Sequence, residues 1–406
     1  MTYLEQTSAA GRHIFPDLAR AFALIGIAVV NVSTFAFPFE TGYTVGGLQS
    51  QADRGAVFLV NALALMKSYT LFSFMFGVSF AYQIRSTERR GVTFSNLYWR
   101  RLFGLFALGA LHGAFFFEGD ILAIYAILGS ALFLFRNVSS QTLLRAAIGL
   151  YMLQLVIFAT LAGLIALGAS LAPDEMAIEL SAMEENTERA RLVFGEGSFL
   201  KVAEYRFGNW TEVLGYGLFM QGIGALAFFL FGFAAVRLNT IAAPSARIWR
   251  RSRRVYLPIG ILGSLWSGHI MAQSVSFFDP NMMLGLFLIV LFSPFSTAGY
   301  LGLIAKWAER PKGKIKLFLA RGGTSSLTAY LLQSVILSFI FCGYGFGLYG
   351  KPGAATCIAI GLAVGVFSII FTSFWRATFA QGPMEMLLRL WTYLGWKPRP
   401  QSAASR

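Results

Sequence analysis

His112 and Asp120 are the residues of this chain whose types and spacing most directly suggest chemistry. They lie in RLFGLFALGALHGAFFFEGDILAIYAILG, residues 101–129, where two long apolar runs flank the polar corner Glu118-Gly119-Asp120 and the first run carries the histidine. An ionisable group deep in hydrocarbon costs roughly 2.5–3.5 kcal/mol on insertion scales, so it tends to be kept for a purpose and to need a partner. A histidine softens that cost, because its ring can shed its charge near neutral pH. An imidazole oriented by a carboxylate is also an arrangement that can take a proton from a hydroxyl or an amine. His112 is therefore the candidate general base and Asp120 its orienting partner. Two straight antiparallel helices meeting at Gly119 would leave the ring about 10 Å below the corner. Pairing then requires a helix end that unwinds near Phe116, a bridging water, or an Asp120 side chain directed inward.

The elements that must position this pair read as membrane helices. Hydrophobic residues make up 56% of the 406 positions and charged residues only 13%, which excludes an ordinary soluble domain. The formal net charge of +14 does not indicate nucleic acid: the basic residues fall in short clusters between apolar runs, without interleaved base-stacking aromatics. No cleavable signal peptide is expected, since a polar lead precedes the first apolar run and no small-residue cleavage site follows it. Cys342 and Cys357 match no metal or redox spacing and read as small core residues. Neither a metal site nor a permanently bound cofactor is expected.

A crossing takes about 20 apolar residues. The expected fold is an all-α polytopic bundle of about ten spans, at about 18–37, 66–84, 102–117, 120–135, 146–171, 212–236, 255–275, 282–303, 324–342 and 354–375. Residues 52–65 read as a helix leading into the second span. Lys and Arg mark the cytoplasmic side. They cluster at 85–101, 247–254 and 306–321, with Arg12, Arg20, Arg136, Arg145 and Arg237 before them and Arg376, Arg389, Lys397, Arg399 and Arg406 toward the C-terminus. The outer side keeps only Arg54, Lys67, Arg189, Arg191, Lys201, Arg206 and Lys351, so both termini are placed inside. The acidic segment at about 172–211 follows Pro173 as an expected surface helix capping the outer face. FMFGVSFA at 74–81 and FLFGFAAV at 229–236 echo one another, a resemblance that Phe-Gly stretches often produce in membrane helices.

Depth follows from the Arg markers at 1.5 Å per helical residue, which sets His112, His269, Asn31 and Gln333 roughly 16–23 Å from the cytoplasmic boundary. Lys67, Glu118, Asp120 and Glu212 fall at the outer boundary on the same count. These groups would line an outward-opening cavity for a substrate if their helices face one another. Asn31 and Gln333 are then candidates for substrate binding, or else interhelical glue. His269 reads as a second candidate base or a satisfied core histidine, and Lys67, Glu118 and Glu212 as binding residues or snorkelling boundary residues. Asp17 and Arg20 share a helix face and read as a structural pair at the start of the first span. Arg250, Arg251 and Arg254 could hold the phosphates of a cytoplasmic donor such as coenzyme A, although a positive inner loop is expected there in any case.

These motifs resemble the YeiB-like family of bacterial inner-membrane proteins, distant relatives of multipass membrane acyltransferases. PDLARAFALIGIAVVN carries Asp17, Arg20, Gly26 and Asn31, with Ala21 where the family has Gly; FSFMFGVSF and LHGAFFFEGDILAIYAILG follow, the latter with His112, Gly119, Asp120 and Tyr125. SSLTAYLLQS supplies Thr328, Tyr330, Gln333 and Ser334, and QGPMEMLLRLWTY supplies Gly382, Pro383, Glu385 and Arg389. The resemblance covers nearly the whole chain. It implies a location in the inner membrane and transfer of an acyl group, from a cytoplasmic donor such as acyl-CoA, to an outward-facing small-molecule, sugar or envelope acceptor. Two other readings stand beside it: export of a small or lipid-linked solute, and a scaffold or sensor whose acidic outer segment binds a partner.

Overall fold

The computed structural model describes residues 13–395, apart from 40, 45, 275, 277 and 312. Arg12, Lys312, Lys397, Arg399 and Arg406, counted above toward the inner face, lie outside the described residues. Within them the chain is all-helical. In order come α1 Ile14–Ala36, α2 Gln51–Leu63, α3 Lys67–Arg89, α4 Phe94–Phe115, α5 Ile121–Leu134, α6 Ser140–Leu171, α7 Pro173–Glu196 and α8 Phe199–Gly217. They continue with α9 Ile223–Arg237, α10 Arg247–Arg251, α11 Leu257–Met271, α12 Pro280–Glu309, α13 Lys314–Gly323, α14 Ser326–Phe341, α15 Ala354–Thr378 and α16 Pro383–Tyr393. Wide π turns at Leu218–Gly222 and Ser252–Tyr256 run α8 into α9 and α10 into α11.

Six rods among the described residues are long and apolar enough to cross a membrane: Ile14–Ala36, Gln51–Arg89, Ser140–Leu171, Phe199–Arg237, Pro280–Glu309 and Ala354–Thr378. The pair α13 and α14, bent by 80°, makes a seventh. The chain is thus a polytopic helical bundle. Of the other three segments expected to cross, α5 and α11 are short, and α4 is diluted by Arg100 and Arg101.

Two boundaries differ from expectation. The segment at 52–65 does not merely lead into the second span: α2 and α3 form one rod, interrupted at Ala64–Met66, where Met66 takes φ 65°. The acidic segment at 172–211 is not one cap either. Pro173, which lacks the N–H a first helical turn leaves unused, starts α7, but a second helix capped by Ser198 begins at Phe199 and continues into α9. The end of α7 anchors through buried Ala190 and Phe194 against Phe117, Phe341 and Tyr349. This acidic end of the bundle also holds the 116–120 corner; the arginines of 85–101 lie at the opposite, basic end.

The echoing motifs at 74–81 and 229–236 pack on each other. Their helices α3 and α9 run parallel, with Phe76 stacked on Phe229 at 4.4 Å and, one turn on, Phe80 edge-on to Phe233 at 5.0 Å. The glycines permit this approach, since a Cβ on Gly77 would stand 1.9 Å from the Phe229 carbonyl oxygen and one on Gly232 1.9 Å from that of Phe74. In hydrocarbon such close backbone contact, not the exclusion of water, holds helices together. Gly77→Ala is expected to cost about 1–3 kcal/mol by forcing the pair apart. Gly149→Ala on α6, where nothing lies within 4 Å, should leave stability unchanged or slightly raised. Thermal unfolding of both variants in one detergent checks this; equal midpoints would remove the glycine interface as a source of stability.

Candidate functional site

The hairpin brings His112 and Asp120 into direct contact. The His112 carbonyl accepts the N–H groups of both Phe116 and Phe117, each at 2.9 Å, so α4 unwinds one turn past the histidine instead of running on to Gly119. Asp120 then becomes the N-cap of α5, with Oδ2 accepting the Ala123 N–H at 2.8 Å and Oδ1 2.7 Å from His112 Nδ1. Unwinding near Phe116 is therefore the route the chain takes. Gly109 makes room, because a Cβ there would meet Ala123 N at 2.4 Å and Asp120 Oδ2 at 2.6 Å.

Both side chains are buried. A carboxylate that already accepts a backbone N–H calls for a proton on His112 Nδ1, which leaves Nε2 with its lone pair. That atom is buried without a hydrogen-bond partner among the described residues. The Tyr330 ring lies 5.1 Å from the imidazole, and its hydroxyl accepts the Ile121 N–H at 3.3 Å. Arg206 closes the end of α4, donating to the Phe115 carbonyl at 2.8 Å and to Ser338 Oγ at 3.2 Å. A cation on a helix C-terminus also suits the helix dipole.

The other residues singled out by sequence do not all converge on the pair. Gln333 is buried and donates to the Leu24 carbonyl at 3.3 Å and to Ser368 Oγ at 2.8 Å, which makes it a tie between α14, α1 and α15. Arg20 pairs with buried Asp17 at 2.8 Å and reaches Ser79 Oγ at 2.9 Å, the structural arrangement expected. Glu118 is buried at the corner, within electrostatic reach of Tyr349. Asn31 is half-buried in the second half of α1. His269 and Glu212 are exposed, the former beside Gln273 at 3.1 Å, so neither lines a shared cavity with His112. Lys67 is not at a boundary: it is fully buried beside the break in Gln51–Arg89.

Arg250, Arg251 and Arg254 are exposed, but on α10 and the π turn that follows it, where a loop was expected. A different set of arginines lines a cavity of about 450 Å³ at the basic end: Arg90, Arg101, Arg376 and Arg389, with Tyr98 and Glu385. Glu385 is committed to the bend, accepting the N–H groups of Leu327 at 2.7 Å and Thr328 at 3.2 Å and the Thr328 hydroxyl at 2.6 Å. Arg376 donates to Thr324 Oγ1 at 2.8 Å on the other side of the same bend. Sequence reading missed this cavity because its arginines come from distant segments, each of which is explained on its own as an inner-face marker. Tyr330 and Arg206 were missed as neighbours of the pair, although Tyr330 stands in a motif that the resemblance picked out.

Known proteins of similar length resemble this chain. The profile described as "Protein of unknown function (DUF418)" matches residues 235–395, the stretch that holds the bend and α16. The chain is 30% identical to "Uncharacterized protein YxaH" of Bacillus subtilis (strain 168), over 98% of this chain and 98% of that one. It is 28% identical to "Uncharacterized protein YeiB" of Escherichia coli (strain K12), covering 93% and 95%. No solved structure matches. End-to-end similarity at this level, together with the DUF418 match over the C-terminal motifs, shows that the chain belongs to the YeiB-like family.

Proposed function

We propose that the protein is a multipass acyltransferase of the bacterial inner membrane that moves an acyl group from cytoplasmic acyl-CoA to a small-molecule, sugar or envelope acceptor at the outer face. The observation that carries this reading is the buried His112–Asp120 pair at 2.7 Å, with the far ring nitrogen left as an acceptor. His112 Nε2 takes the proton of an acceptor hydroxyl as its oxygen attacks the thioester carbonyl. The carbon–sulfur bond then breaks, and the thiol leaves with the proton the ring had taken. Asp120 fixes the tautomer and balances the imidazolium. The arginine cavity supplies charge-assisted donors for the phosphates of the donor, the role assigned from sequence to the 247–254 loop.

Asp120→Asn tests the pair cleanly, because Asn caps a helix as well as Asp but cannot enforce the histidine tautomer. His112→Ala and Asp120→Asn are each expected to lower acyl transfer about 10²–10⁴-fold while the protein still accumulates in the membrane. Undiminished transfer by His112→Ala would sink the assignment. Arg101→Gln and Arg389→Gln should each weaken acyl-CoA binding about 10- to 100-fold. The triple change Arg250→Gln, Arg251→Gln and Arg254→Gln should leave that binding unaltered, and the opposite pattern would return the donor to the loop.

The reading also requires ten crossings with both termini inside, with the Gly119 corner and α7 outside and Arg90 and Arg251 inside. Single cysteines at these positions in a Cys-free background should label accordingly with a membrane-impermeant reagent. Labelling of position 251 from outside excludes the orientation. Export of a small or lipid-linked solute is the second reading, favoured by the 80° bend at α13–α14 and the break at Met66, since broken spans are how transporters expose backbone to cargo. Solute flux without acyl-CoA turnover in proteoliposomes would favour it.

A further inference from the structure

Lys67 is the one lysine on the spans α1, α3, α12 and α15 that is wholly buried among the described residues, and it has no part in the acyl-transfer reading. Its place follows from the path of α2. That helix starts at the acidic end, where Asp53 Oδ1 accepts the Ala355 N–H at 2.8 Å, and descends until the Leu63 carbonyl accepts the Tyr300 hydroxyl at 2.9 Å. Ala64 and Leu65 both turn their N–H groups on the Val60 carbonyl, Met66 takes its positive φ, and α3 sets out again from Lys67. The next residue, Ser68, packs on Gly26 at the middle of α1, where a Cβ would stand 2.2 Å from the serine oxygen. Lys67 therefore sits at mid-bundle depth, not at the boundary where a lysine of this kind usually snorkels.

The ammonium donates one hydrogen bond, to the Asn61 carbonyl at 3.1 Å, out of a capacity of three. It borders a cavity of about 430 Å³ between α1, α3 and α12, lined by Phe22, Leu63, Tyr300, Leu303 and Trp307. No carboxylate is among the lining residues, and the cavity's hydroxyls are already used: Tyr300 on Leu63, and Ser68 on the Ala64 carbonyl at 3.0 Å. Phe22, Leu63 and Leu303, each at least 40% exposed, form the rim, so the cavity opens sideways through apolar side chains and not toward an aqueous face. A chamber of this size, apolar but for two hydroxyls already in use and ending in a single underused cation, matches one kind of ligand.

We propose that this cavity binds a single-chain amphiphile from the bilayer, with a carboxylate head on Lys67 and its hydrocarbon tail between Phe22, Leu303 and Trp307. The apolar rim excludes polar solutes from water, and the ammonium meets the one charge that such a lipid brings into the membrane interior. A phospholipid fits worse, because its second tail and large head would have to enter the same narrow space. The site stands independently of acyl transfer, so its failure and the failure of the His112 assignment are separate results.

The test uses the full chain in nanodiscs of phosphatidylcholine with a dibrominated stearic acid as probe and its methyl ester as the uncharged control. Bromine quenches nearby indole fluorescence, and Trp307 is one of eight tryptophans. The acid should quench the wild type saturably, and Trp307→Phe should remove that component. Lys67→Met should raise the apparent Kd for the acid at least tenfold without altering the weaker binding of the ester, whereas Lys67→Arg should restore most of the affinity. Should Lys67→Met not accumulate, Leu303→Phe, on the exposed rim, narrows the entrance and should cut the quenching by the acid. Equal binding of acid and ester by the wild type, undiminished acid binding by Lys67→Met, or quenching that survives Trp307→Phe would each overturn the proposal.

Discussion

A helix that breaks inside an apolar layer leaves backbone N–H and C=O groups with no water to take them, and each must be closed by the protein itself. Much of this fold can be understood from that requirement. Pro294 in α12 cannot bond the Val290 carbonyl, and the Tyr151 hydroxyl donates to that oxygen at 2.6 Å instead. At the 80° bend the exposed N–H groups of Leu327 and Thr328 fall to Glu385 from α16, and at the end of α4 the Phe115 carbonyl falls to Arg206. Asp120 starts α5, and Lys67 takes the Asn61 carbonyl beside the break at Met66. Several buried polar residues that look like scattered exceptions in the sequence are attached to a place where a helix starts, stops or turns.

That pattern narrows the search for chemistry. Gln333, Glu385 and Tyr151 are spent on tying helices together, and Asp17 on Arg20 of its own helix, so their placement is explained without a substrate. His112 is different, because its pairing with Asp120 satisfies one ring nitrogen and leaves the other, and Tyr330 lies over the ring without bonding to it. The motifs of the chain also meet at these junctions. Thr328 and Glu385, from separate C-terminal motifs, bond directly, while Tyr330 and Gln333 from one motif reach Ile121 and Leu24 in two others.

The membrane class, the all-helical make-up and the pairing partner of His112 were legible in the sequence, because they depend on hydropathy, charge clusters and neighbours along the chain. Where the chain departs from straight helices, legibility stopped. The depth of Lys67 was misread since the rod does not begin at the lysine: α2 precedes it across the break at Met66, which carries no Pro or Gly to announce it. His269 and Glu212 were grouped with His112 on depth alone, but depth does not fix which face of a helix looks inward, and both proved exposed. The arginine cavity was invisible for a related reason: Arg101, Arg376 and Arg389 each satisfy the rule for inner-face charges, and only the fold of α15 and α16 over α4 makes them neighbours.

Asp120 divides its two oxygens between a side chain and a backbone, one on the His112 ring and the other on the Ala123 amide. A proton arriving on or leaving the imidazole changes the charge density of the whole carboxylate, and the amide that leans on the second oxygen must feel it. The first turn of α5 is thus an internal indicator for the ring. The chemical shift of the Ala123 amide should therefore report a disturbance of the pair, such as His112→Ala, without any label on the histidine itself.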